Sequence, residues 1–177
     1  MVSMLMLGAW LLMFKVPARA CGAAADEYAL KAVFLVKFAQ YVTWPPEAFP
    51  NADTPVYLGV LGDDPFGDDL AAAAAKASVG NRKVVIKRSK KVDDLKSCHI
   101  LFVDKSEKAQ VQQILASIGQ SWTLTVGETD GFATRGGVIS FYIADDNTVR
   151  FEINNDAAAR RGLKIDPRLL RLAKIVH

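Results

Sequence analysis

Strand and helix patterns alternate along this sequence and point to a single α/β domain: a mostly parallel β-sheet flanked by helices on both faces, ending in an antiparallel hairpin and C-terminal helix. Three observations predict it. Short β-branched runs alternate with segments of helical period, the pattern of βαβ units. From Gly136 to Asn154, GGVISFYI and VRFEIN alternate apolar and polar residues around Asp145-Asp146-Asn147, which reads as a hairpin. Asp166-Pro167 then supplies an N-cap and a proline at the first helical position.

In chain order, Asp26 to Val42 has helical spacing, with Leu30, Phe34, Phe38 and Tyr41 on one stripe and Lys31, Lys37 and Gln40 on the polar side. Trp44-Pro45-Pro46 ends it, because a residue before proline is pushed out of the α region. Pro55–Leu61, Lys83–Arg88, His99–Val103 and Trp122–Val126 read as strands, the most apolar of them suited to burial on both faces. Asp68–Ala77, with five consecutive alanines, and Lys105–Ile118, closed by Gly119, read as the helices between them. Gly127–Gly137 is an eleven-residue loop with four glycines. In the hairpin, Val149, Phe151 and Ile153 share one face, and Arg150 and Glu152 the other. Asn154-Asn155-Asp156 starts a short helix and Gly162 stops it. In the last helix, Leu169, Leu172, Ala173 and Val176 fall on one face.

The 177 residues suffice for one domain with a sizeable core, and 51% apolar with 23% charged residues is a globular composition. Residues 1–25 read as a signal segment: Met4–Phe14 is an apolar run too short to span a bilayer, and Ala18-Arg19-Ala20 and Ala23-Ala24-Ala25 fit small-x-small cleavage patterns. That leaves residues 26–177 as one α/β domain. The formal charge of +3 falls to about +1 without Lys15 and Arg19, so charge gives no support to nucleic-acid binding. Cys21 stands where a lipoprotein cysteine would, but Arg19 departs from a lipobox, so export without an anchor is the preferred reading. Cys98 has no evident mate and reads as a small buried apolar residue.

No catalytic constellation emerges. Asp63 and Asp64 after the first strand and Asp104 after the third would meet at the strand C-termini, where three carboxylates can hold Mg²⁺, yet the first two are ordinary turn residues and Asp104 can cap a helix. His99 beside a strand reads as a satisfied structural residue. No nucleophile elbow, P-loop or zinc spacing is present, so neither metal nor cofactor is expected. The 127–137 loop is the interaction candidate, with Phe132 and Arg135 as anchors.

Three segments carry a family resemblance: EYALKAVFLVKFAQYVTWP at Glu27–Pro45; VLGDDPFGDDL at Val60–Leu70 with CHILFV at Cys98–Val103; and GGVISFYI with VRFEINNDAAARRGLKIDPRLLRLA, ending at Ala173. The chain resembles the YfiR-like family of periplasmic regulators. The resemblance implies an exported, non-enzymatic domain that restrains a membrane-anchored diguanylate cyclase by binding its periplasmic sensor domain. It implies homodimerisation, and sequestration by an OmpA-like outer-membrane lipoprotein that releases cyclic di-GMP synthesis and biofilm formation. Partner contact is expected on the loop, hairpin and last helix, at Phe132, Arg135, Arg150, Glu152, Arg168 and Arg171. The best-known member is disulfide-bonded; here Cys98 matches one position of such a pair and VYLGVLGDD lacks the other, so redox gating does not carry over. The alternative is a small-molecule receptor binding near Asp63, Asp104 and the 127–137 loop.

Overall fold

The computed structural model describes residues 19–177, with side chains from residue 25 onward. Most of the expected signal segment lies outside the described residues, as does the Cys21 side chain. An eight-stranded sheet organises the chain, in the order β3-β4-β2-β5-β6-β7-β8-β10. Its strands are β2 (Val56–Leu61), β3 (Ser78–Val79), β4 (Arg82–Ser89), β5 (Ile100–Val103), β6 (Leu124–Gly127), β7 (Ile139–Ile143), β8 (Val149–Asn154) and β10 (Lys174–Val176). From β4 to β7 neighbouring strands are parallel; β7 and β8 form the antiparallel hairpin. The sheet, its direction and its flanking helices are those the alternating pattern predicts.

Helix α1 (Arg19–Gln40) and helix α2 (Asp68–Ala75) cover one face, and α3 (Val111–Ile118) covers the other. The α1 face holds the larger core. There Phe38 stacks edge-on against Phe151 at 5.1 Å between ring centroids and packs on Phe141 at 5.6 Å. A second pair of short strands, β1 (Val42–Thr43) and β9 (Lys164–Ile165), ties the end of α1 to the segment after α4 (Asn155–Arg160). Asn154 caps α4 by accepting from the Ala157 N–H at 2.8 Å. Residues Lys105–Gln110, expected as the first turns of a helix, are 3₁₀, and Asp104 caps them through the Ser106 N–H.

Three expectations need correction. Helix α5 spans only Pro167–Leu170, and the chain then turns into β10, parallel to β8. Without β10 the outer edge of β8 would leave backbone N–H and C=O groups unpaired, and the β-branched Ile175 and Val176 suit the strand that satisfies them. Leu172, assigned to the helix's apolar face, is 75% exposed. The buried face of α1 is also rotated from the expected stripe: Leu30 is exposed, while Lys31, expected on the polar side, is 3% exposed. Finally, Gly127–Gly137 is a packed crossover. It carries the chain from the end of β6 to the start of parallel β7, a connection that usually uses a helix. Successive turns hold it, and Asn154 donates to the Ala133 carbonyl at 3.0 Å.

His99 is buried at the start of β5, stacked on Phe49 at 4.5 Å. Its Nδ1 accepts from the Tyr57 N–H and its Nε2 donates to the Ala48 carbonyl, each at 3.0 Å, which fixes one neutral tautomer. Burial depresses its pKa below 6.5; the hydrogen bond to Ala48 opposes this, and the charges of Arg82 and Lys87 add to the depression. Below 6.5 the unfolded chain therefore binds a proton that the folded chain resists. Thermal unfolding should show full stability above about pH 6.5 and a loss as pH falls below it. A His99→Gln variant should flatten that slope, and an unchanged slope would overturn the assignment.

Candidate functional site

The chain passes from β2 outward to β4 and then back across β2 to β5. The loops after β2 and β5 therefore diverge, and a crevice opens at the strand C-termini. Asp63, Asp64, Asp104, Lys105 and Ser106 line it. The carboxylates brought together there are already engaged. Asp104 caps the 3₁₀ turn, Asp63 pairs with Lys90 at 2.9 Å, and Asp64 pairs with Arg88 at 2.5 Å. Among the described residues no three His, Cys, Asp or Glu side chains group as metal ligands.

One strand further along lies a constellation the sequence reading missed. Glu128 follows β6, and its side chain is 4% exposed. Lys31, equally buried, meets it at 2.6 Å and also reaches Glu27 at 2.5 Å. Tyr28 donates its hydroxyl hydrogen to Glu128 at 3.2 Å, and Lys105 donates to it through its backbone N–H at 3.3 Å and to the Tyr28 oxygen through Nζ at 3.0 Å. Burial alone would lower the Lys31 pKa, but its hydrogen bonds to Glu128 and Glu27 outweigh that and raise it, so the ammonium stays charged. Lys31 also lies 4.6 Å from the Tyr28 ring centroid. With Asp130, Phe141 and Tyr142, these groups line a cleft of about 340 Å³ that sets both signs of charge beside aromatic rings. Lys31 at i and Glu27 at i−4 was the one legible signal; Glu128, some hundred residues on, had none.

The six expected contact residues do not converge. Phe132 is fully buried, with its ring seated where a Cβ on Gly127 or Gly137 would stand, so it offers a partner nothing. Arg135 is exposed on the crossover. Arg150 and Glu152 do share a face, opposite Tyr142 and Ser140 in register, on the side of the hairpin away from α1. Arg150 pairs with Asp146 at 2.6 Å and Glu152 with Lys174 of β10 at 2.7 Å. Arg168 and Arg171 are exposed; Arg168 pairs with Asp166 at 2.8 Å, and that hydrogen bond chiefly holds the Asp166 carboxyl down to about 2, with the Arg171 charge adding to it. Cys98 is a buried free thiol, as expected, and burial raises its pKa.

Fold and site together make one α/β domain with a crevice at the strand C-termini and a charged face on the terminal hairpin. The YfiR/HmsC-like family matches residues 28–174, and the chain belongs to that family. Membership supports a regulatory role at the level of the family. Among solved structures the fold is similar to an ABC domain from Streptococcus pneumonia, determined in complex with L-Trp, at 15% identity and a TM-score of 0.56. That match covers 82% of this chain and 60% of the other. It is also similar to a conserved domain protein from Vibrio cholerae O1 biovar El Tor, at 15% identity and a TM-score of 0.51, over 69% of this chain and 55% of that one. The chain thus spans less than two thirds of the length of either structure.

Proposed function

We propose that the protein is an exported, non-enzymatic regulator that binds and restrains the periplasmic sensor domain of a membrane-anchored signalling enzyme, a diguanylate cyclase. The supporting observation is the family match across nearly the whole described chain. Restraint needs only that the regulator bind the inactive state of its target more tightly than the active one. The surface best suited to that contact is the face of β7, β8 and β10 that carries Tyr142, Arg150, Glu152 and Lys174, where Arg150 and Lys174 are exposed and Tyr142 and Glu152 half-buried. A second copy of the chain and an OmpA-like lipoprotein are further partners in this reading.

Deleting the gene should raise cellular cyclic di-GMP. A chain carrying Arg150→Glu should weaken binding to the purified sensor domain by about tenfold or more, since reversing a charge at a contact costs more than about 1.4 kcal/mol. Its unfolding should shift little, because Arg150 is exposed. Unchanged cyclic di-GMP on deletion, with the cyclase present, would overturn the reading.

A specific observation favours a second reading, a small-molecule receptor. The cleft of Tyr28, Lys31, Lys105, Glu128 and Asp130 offers charges of both signs beside aromatic rings, and the similar Streptococcus domain was solved with L-Trp, an aromatic zwitterion. Stabilisation of the isolated chain by L-Trp in a thermal-shift assay would support the receptor. Stabilisation by the sensor domain alone would support the regulator.

A further inference from the structure

Arg161, at the C-terminal end of α4, is 8% exposed. Its Nη1 donates to the Gly119 carbonyl at 2.5 Å, which caps the end of α3 and accounts for one of five N–H donors. Its other donors have no protein acceptor among the described residues, and neither Arg161 nor its neighbour Arg160 pairs there with a carboxylate. Burial lowers the Arg161 pKa, and the adjacent charge of the exposed Arg160 lowers it further. The spare Arg161 donors are not among the sealed, unpartnered polar atoms of the described residues, so an anion can reach them from solvent and take the charge-assisted hydrogen bonds they offer.

Arg161 lines a recess of about 70 Å³ with Gly119, Gln120, Gly136, Ala157 and Arg160. A water molecule takes roughly 30 Å³, so the recess admits a group of phosphate or carboxylate size. Gly119 and Gly136 have positive φ, 62° and 102°, and form walls without side chains. The recess lies at the opposite end of the sheet from the crevice, beside the turns that lead into β6 and β7.

We propose that Arg160, Arg161 and Gln120 form a binding site for a small oxyanion, a phosphate or carboxylate group gripped by the guanidinium fork. The test titrates the full chain with inorganic phosphate, acetate or chloride at matched ionic strength, following unfolding temperature and calorimetric heat. Saturable stabilisation by phosphate assigns a phosphate group, and by acetate a carboxylate; chloride should do neither. Arg160→Gln leaves the Gly119 contact intact, so it should fold as the parent does and weaken the anion at least tenfold. Arg161→Lys keeps the charge but loses the fork, and should weaken it as well. Equal responses from all three salts, or equal anion affinity in parent and Arg160→Gln, would overturn the proposal.

Discussion

Replacing Lys31 by Met should cost about 3 kcal/mol of folding stability, because it strands Glu128 as a buried carboxylate without its cation. Breaking such a pair by removing one partner commonly costs about 3–5 kcal/mol. The low end applies here because the Tyr28 hydroxyl and the Lys105 N–H still donate to Glu128, and because Glu27, 29% exposed, can return to water. The double variant, Lys31→Met with Glu128→Leu, should recover most of the loss, since burying two apolar groups avoids both desolvation penalties. Urea unfolding reads both effects as shifts of midpoint at unchanged slope. A single variant as stable as the parent, or a double variant less stable than the single, would show that the pair does not hold α1 to the end of β6. The double variant also tests the receptor reading, since it removes the two buried charges, Lys31 and Glu128, from the cleft without unfolding it.

The second large effect is expected at Phe132. Its ring fills the space beside Gly127 and Gly137 and joins the α3-side core with Leu61, Leu101, Val111 and Leu115. Phe132→Ala should therefore cost about 3–5 kcal/mol, the lost transfer energy plus the cavity. Phe132→Leu should cost about 1 kcal/mol, because most of the volume is kept. Hydrogen exchange should show the 128–137 backbone losing protection first in the Ala variant, while the exposed Arg135→Ala changes stability by less than about 0.5 kcal/mol. Were Phe132→Ala as harmless as Arg135→Ala, the crossover would be the loose surface loop its four glycines suggest.

Those two positions show where local sequence carries the answer and where it does not. Phe132 in a glycine-rich stretch looks like an exposed anchor, because a local reading cannot see that β6 and β7 are parallel neighbours whose connection must cross a face of the sheet. Lys31 lies between apolar residues on α1 and is assigned to solvent by its charge, whereas its cation is matched by a carboxylate far along the chain. The terminal residues show the same limit: Leu169, Leu172, Ala173 and Val176 have helical spacing, but the free edge of β8 turned Lys174–Val176 into a strand. Arg161 is another case, because nothing in AAARRG distinguishes the arginine that is buried from the one beside it.

Local sequence carries the alternation of strands and helices, the parallel sheet, the hairpin with Arg150 and Glu152 on one shared face, the helix starts at Asn154–Asp156 and Asp166, and the family segments. These are set by period, turn chemistry and capping, which act over a few residues. The pairing of Lys31 with Glu128, the burial of Phe132, the edge strand at the C-terminus and the recess beside Arg161 come instead from the packed fold. Each depends on which groups the packed sheet brings together across long stretches of chain. Burial then sets the energy, since losing a charge's partner or a ring costs little at the surface and several kcal/mol once the group is enclosed.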